Sequence, residues 1–194
     1  MAIRVDLRAE LAVGRHALVP GRVPQIAEWI CDRPRRVPGL VELLWDDDAG
    51  VANRAADVLE RIFIEPSPAL RRAVQEFKEP LLGLLEEARF IKLRWNLALT
   101  LPRLELTVAE CRRIASVLGL WLDDPSSIIK TAALHGLASL TRQDPACIPS
   151  VVDLLRVASR TGTPAMRARS RHLLAEFENP RRKKRSQTLE HFYA

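Results

Sequence analysis

The chain has 194 residues, of which 47% are hydrophobic, 28% charged and 5% aromatic, and its formal net charge is +6. This apolar fraction is too high for a disordered chain, and few aromatic residues argue against an all-β protein. Because no apolar run approaches the ~18 residues of a membrane span, we expect a soluble protein with no membrane partner.

The three cysteines are odd in number, widely spaced and form no Cys-x-x-Cys motif. This pattern is typical of a reducing compartment and argues against a disulfide scaffold. The first 19 residues alternate charged and apolar side chains, which argues against a secretory signal. We therefore expect the protein to be cytoplasmic.

Residues 1–36 predict a degenerate N-terminal helix pair. Helical patterns cover Arg4–Leu18 and Val23–Cys31, and they are interrupted by Pro20-Gly21 and Pro34.

Four later segments align with one another, at starting positions 40, 38 and 37 residues apart. The first and ninth residues of each segment are apolar, and this spacing places them on one face of a helix. The segments are Val51–Ile62, Ile91–Pro102, Ile129–Leu140 and Met166–Phe177. Each segment therefore predicts one amphipathic helix, which we call a second helix.

Another helical pattern, which we call a first helix, precedes each second helix. These patterns are Pro38–Trp45, Pro80–Glu87, Cys111–Leu122 and Pro149–Arg156. The turns between the paired helices contain carboxylates or hydroxyls, such as Asp46–Asp48 and Asp123–Ser126. We interpret these groups as caps of the following helix rather than as acid/base or metal dyads.

A turn with Asp, an apolar-basic pair such as Ile129-Lys130, a small residue and a Leu pair, in units of 37–40 residues, resembles the HEAT repeats. The resemblance covers roughly residues 37–178. It implies an all-α, right-handed superhelix of four to five helix pairs, forming a single domain over residues 1–180. It says little about function, because HEAT arrays serve as scaffolds, transport receptors, regulatory subunits and a few nucleic-acid enzymes.

In HEAT arrays the second helices line the concave surface, so their polar residues are candidates for binding. These candidates are Arg54, Asp57, Arg61, Lys92, Arg94, Lys130, His135, Arg167, Arg169 and His172. Two interpretations stay open. The basic residues could form a positive groove for phosphates or acidic peptides, or they could pair with turn carboxylates of neighbouring repeats as a ladder. Asp57 and Arg61 also have the spacing of a surface ion pair.

Catalysis has little support in the sequence. His135 and His172 occupy the same position in adjacent repeats, but a metal site needs a third ligand, so we expect no metal. We also expect no cofactor and no catalytic residue. Trp95 replaces a small residue, either to fill a packing gap or to stack on a ligand. With Asp57 it is the nearest candidate for the Trp and Asp of the HEAT-like alkylation-repair glycosylases, although no motif matches.

The chain ends in a basic tail, residues 181–194, that opens with Arg181, Arg182, Lys183, Lys184 and Arg185. This run could bind nucleic acid, act as a nuclear import signal in a eukaryotic host, or only increase solubility. Without the tail, 25 basic and 23 acidic residues remain. We expect a non-enzymatic adaptor or scaffold that binds a protein partner; the alternative is a nucleic-acid-binding HEAT protein, conceivably a glycosylase.

Overall fold

A computed structural model describes residues 6–13 and 21–178. Within these ranges the chain is all-α, as predicted, and contains no strand. The helices are α1 Leu7–Ala12, α2 Val23–Cys31, α3 Val37–Glu42, α4 Ala49–Ile62, α5 Pro68–Gln75, α6 Lys78–Glu87, α7 Ile91–Thr100, α8 Val108–Leu120, α9 Ser127–Leu140, α10 Ile148–Thr161 and α11 Pro164–Glu178. None of the helices in these ranges is long and apolar enough to cross a membrane.

The four predicted second helices are confirmed as α4, α7, α9 and α11, and the first helices as α3, α6, α8 and α10. Several helices are preceded or followed by a short 3-10 turn. These turns are Pro34–Arg36, Leu43–Trp45, Leu101–Arg103, Trp121–Asp123 and Pro145–Cys147.

The predicted caps are present at the two clearest turns. Asp48 caps α4 by accepting hydrogen bonds from the backbone N–H groups of Gly50 and Val51, at 2.7 and 3.1 Å. Ser126 caps α9, and Asp124 accepts from the Ser126 N–H at 2.7 Å. Because these oxygens satisfy N–H groups that have no partner within the helix, the turn carboxylates have a structural role.

The chain forms two compact units, Met1–Glu105 and Leu106–Ala194. In the first unit, α4 lies at the centre and every residue from Gly50 to Leu59 is buried. It packs against α1, α2 and α7. The small side chains of Ala52, Ala55 and Ala56 explain the burial on several sides, since they let neighbouring helices approach closely.

In the second unit, α9 packs against α8, α10 and α11. Its apolar residues Ile129, Ala132, Ala133 and Leu134 are fully buried.

α10 and α11 are joined by only two residues, and a Cβ at Gly162 would lie 2.6 Å from the carbonyl oxygen of Ala158. The tight turn therefore requires glycine at this position.

Consecutive second helices run parallel and side by side within each unit. In the first unit, Asn53 and Asp57 of α4 contact Leu93 and Asn96 of α7, so both helices advance together. In the second unit, Ser127 and His135 of α9 contact Thr163 and Arg169. Parallel packing of successive second helices is what stacked helix pairs produce.

Candidate functional site

Arg54 is predicted to line a groove but is 2% exposed. Its Nε donates a hydrogen bond to the carbonyl oxygen of Leu11, and its Nη2 donates to that of Ala12 at 3.4 Å. These carbonyls end α1 and have no partner within that helix. Arg54 therefore holds α1 against α4, and its charge lies at the negative end of the α1 dipole.

A buried polar network joins α4 to α7. Lys92 Nζ lies 2.5 Å from Asp57 Oδ2, and Asn96 Nδ2 donates to Asp57 Oδ1 at 2.8 Å. Asn53 Oδ1 accepts from the Leu93 N–H at 3.1 Å. Asp57 and Lys92 are 8% and 9% exposed, so the ion pair is shielded from water. The network stabilises the α4–α7 packing and fixes its register.

Three candidate residues are therefore not available to a partner, contrary to the prediction: Arg54, Asp57 and Lys92 are consumed by internal contacts. For Lys92 the ladder interpretation is better than the groove interpretation. The carboxylate with which Lys92 pairs, however, lies on the preceding second helix and not in a turn. The expected surface pair of Asp57 with Arg61 is wrong, because Asp57 is buried with Lys92 while Arg61 is exposed.

Helix geometry also separates candidates that the sequence analysis placed on one groove. At ~100° per residue, side chains two positions apart point in nearly opposite directions. Arg169 reaches His135 on α9, whereas Arg167 donates to the carbonyl oxygen of Gly162 at 3.0 Å. Lys92 faces α4, so Arg94, which is half-buried, lies on another side of α7. On α7 and on α11, taken separately, the candidate basic residues therefore do not share one face.

The candidates that do come together lie in the second unit. Arg169 Nη2 is 2.6 Å from Nδ1 of His135, and both side chains are half-buried. One turn further along α11, the exposed His172 pairs with Glu176 at 3.2 Å. Ile128, which is 53% exposed, lies two turns before His135 on the same face of α9. We call these five residues the α9–α11 surface. Lys130 is half-buried on α9.

The candidate pair for a glycosylase site is not supported. Asp57 is engaged by Lys92 and Asn96, and Trp95 is half-buried on α7. Of the other tryptophans, Trp121 is buried and Trp45 is 45% exposed.

Sequence reasoning missed a group of arginines in the first unit, which we call the arginine patch: Arg33, Arg35, Arg36, Arg71 and Arg72. The Arg36 guanidinium lies 3.7 Å from the centroid of the Trp29 ring, and that of Arg33 lies 6.0 Å away. The 3-10 turn Pro34–Arg36 packs against α5, which carries Arg71 and Arg72. The signal was present as Arg33-Pro-Arg-Arg36 and Arg71-Arg72, but neither run lies in an aligned second helix.

Within residues 6–13 and 21–178, no group of three or more His, Cys, Asp or Glu side chains is arranged to hold a metal ion. The three cysteines are free thiols. The predicted tail residues Arg181–Arg185 lie outside the described residues. Comparisons with protein-family models, with curated proteins and with solved structures found no match.

Proposed function

We propose that the chain is a HEAT-like, right-handed helical solenoid that acts as a non-enzymatic adaptor for a protein partner in the cytoplasm. The parallel packing of α4 with α7, and of α9 with α11, supports the repeat assignment within each unit. The α9–α11 surface is the observation that carries the binding role.

This surface favours a protein partner because its chemistry is mixed. Arg169 and His135 provide hydrogen-bonding groups, Glu176 provides a carboxylate, and Ile128 provides exposed apolar area. An exposed apolar side chain on the same face as hydrogen-bonding groups is typical of a protein interface. Glu176 balances Arg169, the one arginine of this surface, so no excess positive charge remains there to attract phosphate groups.

A photo-crosslinking experiment tests this proposal. A photoreactive amino acid replaces Ile128 in one variant and, as a matched control, the exposed Ser116 of α8 in another. We expect a protein adduct from position 128 only. Excess unlabelled wild-type chain should abolish the adduct, because it occupies the same partner.

The R169A/H172A variant, added as competitor instead, should leave the adduct in place, since it lacks two groups of the surface. Equal adducts at positions 116 and 128, or equal competition by R169A/H172A, would contradict the proposal. Circular dichroism of each variant verifies that the helices are intact.

A further inference from the structure

The positive charges of the arginine patch are not paired with carboxylates within the described part of the chain. Arg33, Arg35, Arg71 and Arg72 are exposed, and Arg36 is half-buried. Three of these guanidiniums lie over aromatic rings: those of Arg33 and Arg36 over Trp29, and that of Arg71 over Phe63 at 5.9 Å. No carboxylate of the described residues forms an ion pair with any of the five.

The aromatic contacts restrict the guanidiniums without using their charge. An arginine over a ring keeps its N–H groups available at the edge of the guanidinium plane. Trp29 thus orients Arg36 much as a carboxylate would, but leaves its positive charge uncompensated. Arg36 Nε is itself buried and has no hydrogen-bond partner.

Exposed carboxylates also occur close to the patch, either along the chain or in the same depression. Glu28 and Asp32 are exposed on and just after α2, and Glu76 and Glu105 line the same open depression of about 320 Å³ as Arg71 and Arg72. Gln75 holds the backbone of Glu105 in place beside this depression. Its side-chain amide donates to the Glu105 carbonyl oxygen at 2.9 Å and accepts from the Glu105 N–H at 3.0 Å. Arg71 and Arg72 therefore lie beside carboxylates of the described residues with which they form no ion pair.

We propose that the arginine patch binds the phosphate backbone of a nucleic acid, independently of base sequence. All five cations of the patch are arginines. The planar guanidinium group of an arginine can donate two parallel hydrogen bonds to the oxygens of one phosphate. Exposed guanidiniums beside a half-exposed aromatic ring are typical of surfaces that bind nucleic acid without sequence preference. The α9–α11 surface, with one arginine and one carboxylate, has no such group of guanidiniums.

Fluorescence anisotropy with labelled 20-mers, one single-stranded and one duplex, tests the proposal over a salt series. All variants are made in a full-length chain whose residues Arg181–Arg185 are changed to Gln, so that the tail cannot mask the patch. We expect log K to fall by about 2 to 3.5 per decade of salt for the single strand, as three to five phosphates are neutralised.

The R35E/R72E variant should bind at least about tenfold more weakly. R112E/R142E is the matched control: both arginines are exposed in the second unit, and the charge change is the same. Its affinity should differ from the parent by less than about twofold. Far-UV circular dichroism and thermal unfolding verify that both variants fold.

Three results would overturn the proposal. These are no binding of either 20-mer at low salt, equal weakening by the two charge-reversal variants, and displacement of the 20-mers by a polyglutamate peptide of equal charge. The last result would assign the patch to an acidic protein.

Discussion

Lys92 and Asp57 form a buried ion pair in which each charge is compensated by the other. Both are buried, and the Asp57 carboxylate accepts from Lys92 and from Asn96 on the same neighbouring helix. Removal of one charge from a buried pair leaves the other desolvated and uncompensated, which costs more than the pair contributes.

We therefore predict that K92M lowers the free energy of unfolding by about 3–5 kcal/mol. The double variant D57N/K92M should recover a large part of this loss, because no uncompensated charge remains. Urea denaturation of the two variants and of K130M measures the effect. Lys130 is half-buried at the equivalent position of α9, so K130M controls for the loss of a lysine. Equal destabilisation by K92M and K130M would contradict the role given to the pair.

The burial of Arg54, Asp57 and Lys92 marks the limit of what the sequence predicts at single residues. Their periodic positions on polar helix faces correctly indicated amphipathic helices, and one of the two open interpretations, the ladder, fits Lys92. The sequence could not indicate that α1 covers α4, because that contact depends on residues 42 and 43 positions apart along the chain. A long-range contact of this kind leaves no periodic signal.

At the scale of elements, α1 is held by polar contacts more than by apolar burial. It has only six residues, of which Leu11 alone is buried, so it is too short to be stable by itself. Arg8 forms two hydrogen bonds to Asp46, at 2.6 and 3.0 Å, Glu10 pairs with Arg22, and Arg54 caps the C-terminal end. Asp6 caps the first turn.

We predict that attachment of α1 weakens in acid. The hydrogen bond from Arg8, with a further backbone bond from Asp48, lowers the pKa of Asp46. Because the folded pKa is below the unfolded value of about 4, the contribution is complete above that pH and is lost as the pH falls through the lowered pKa. Hydrogen exchange of the backbone amides of Glu10 and Leu11 measures the attachment.

At neutral pH, D46N should increase exchange of these amides several-fold but less than about tenfold, because Arg8 is largely exposed to solvent. Lowering the pH should bring the wild type toward D46N after correction for intrinsic exchange rates. The variant D47N is the control, since Asp47 is exposed in the same turn. A wild-type to D46N difference that persists unchanged at pH 2 would contradict the assignment to Asp46.

The element boundaries show what local sequence patterns can supply. The second helices were predicted within two residues at each end, because caps such as Asp48 and Ser126 are local signals. The arginine patch was missed since its two runs are about 35 residues apart and meet only through the packing of the Pro34–Arg36 turn on α5. The alignment of repeats predicts binding residues on the second helices, and these helices carry no such cluster.

At the scale of the whole molecule, the net charge of +6 does not identify a binding surface. Much of it belongs to the tail, and many of the remaining basic residues have structural contacts. The two surfaces differ in the number and surroundings of their cations. The α9–α11 surface contains one arginine, Arg169, and one carboxylate, whereas the patch contains five arginines, three of which contact aromatic rings. Each surface lies within one compact unit.

We therefore predict that the two binding activities separate by mutation. R169A/H172A should lose the crosslinked protein partner but bind the 20-mers within about twofold of the parent, because it leaves the patch unchanged. R35E/R72E should do the reverse. Both assays on both variants, with thermal unfolding as the check of stability, measure the separation. If either variant lost both activities while its unfolding temperature stayed unchanged, the two surfaces would act as one site, and the assignment of separate partners would be wrong.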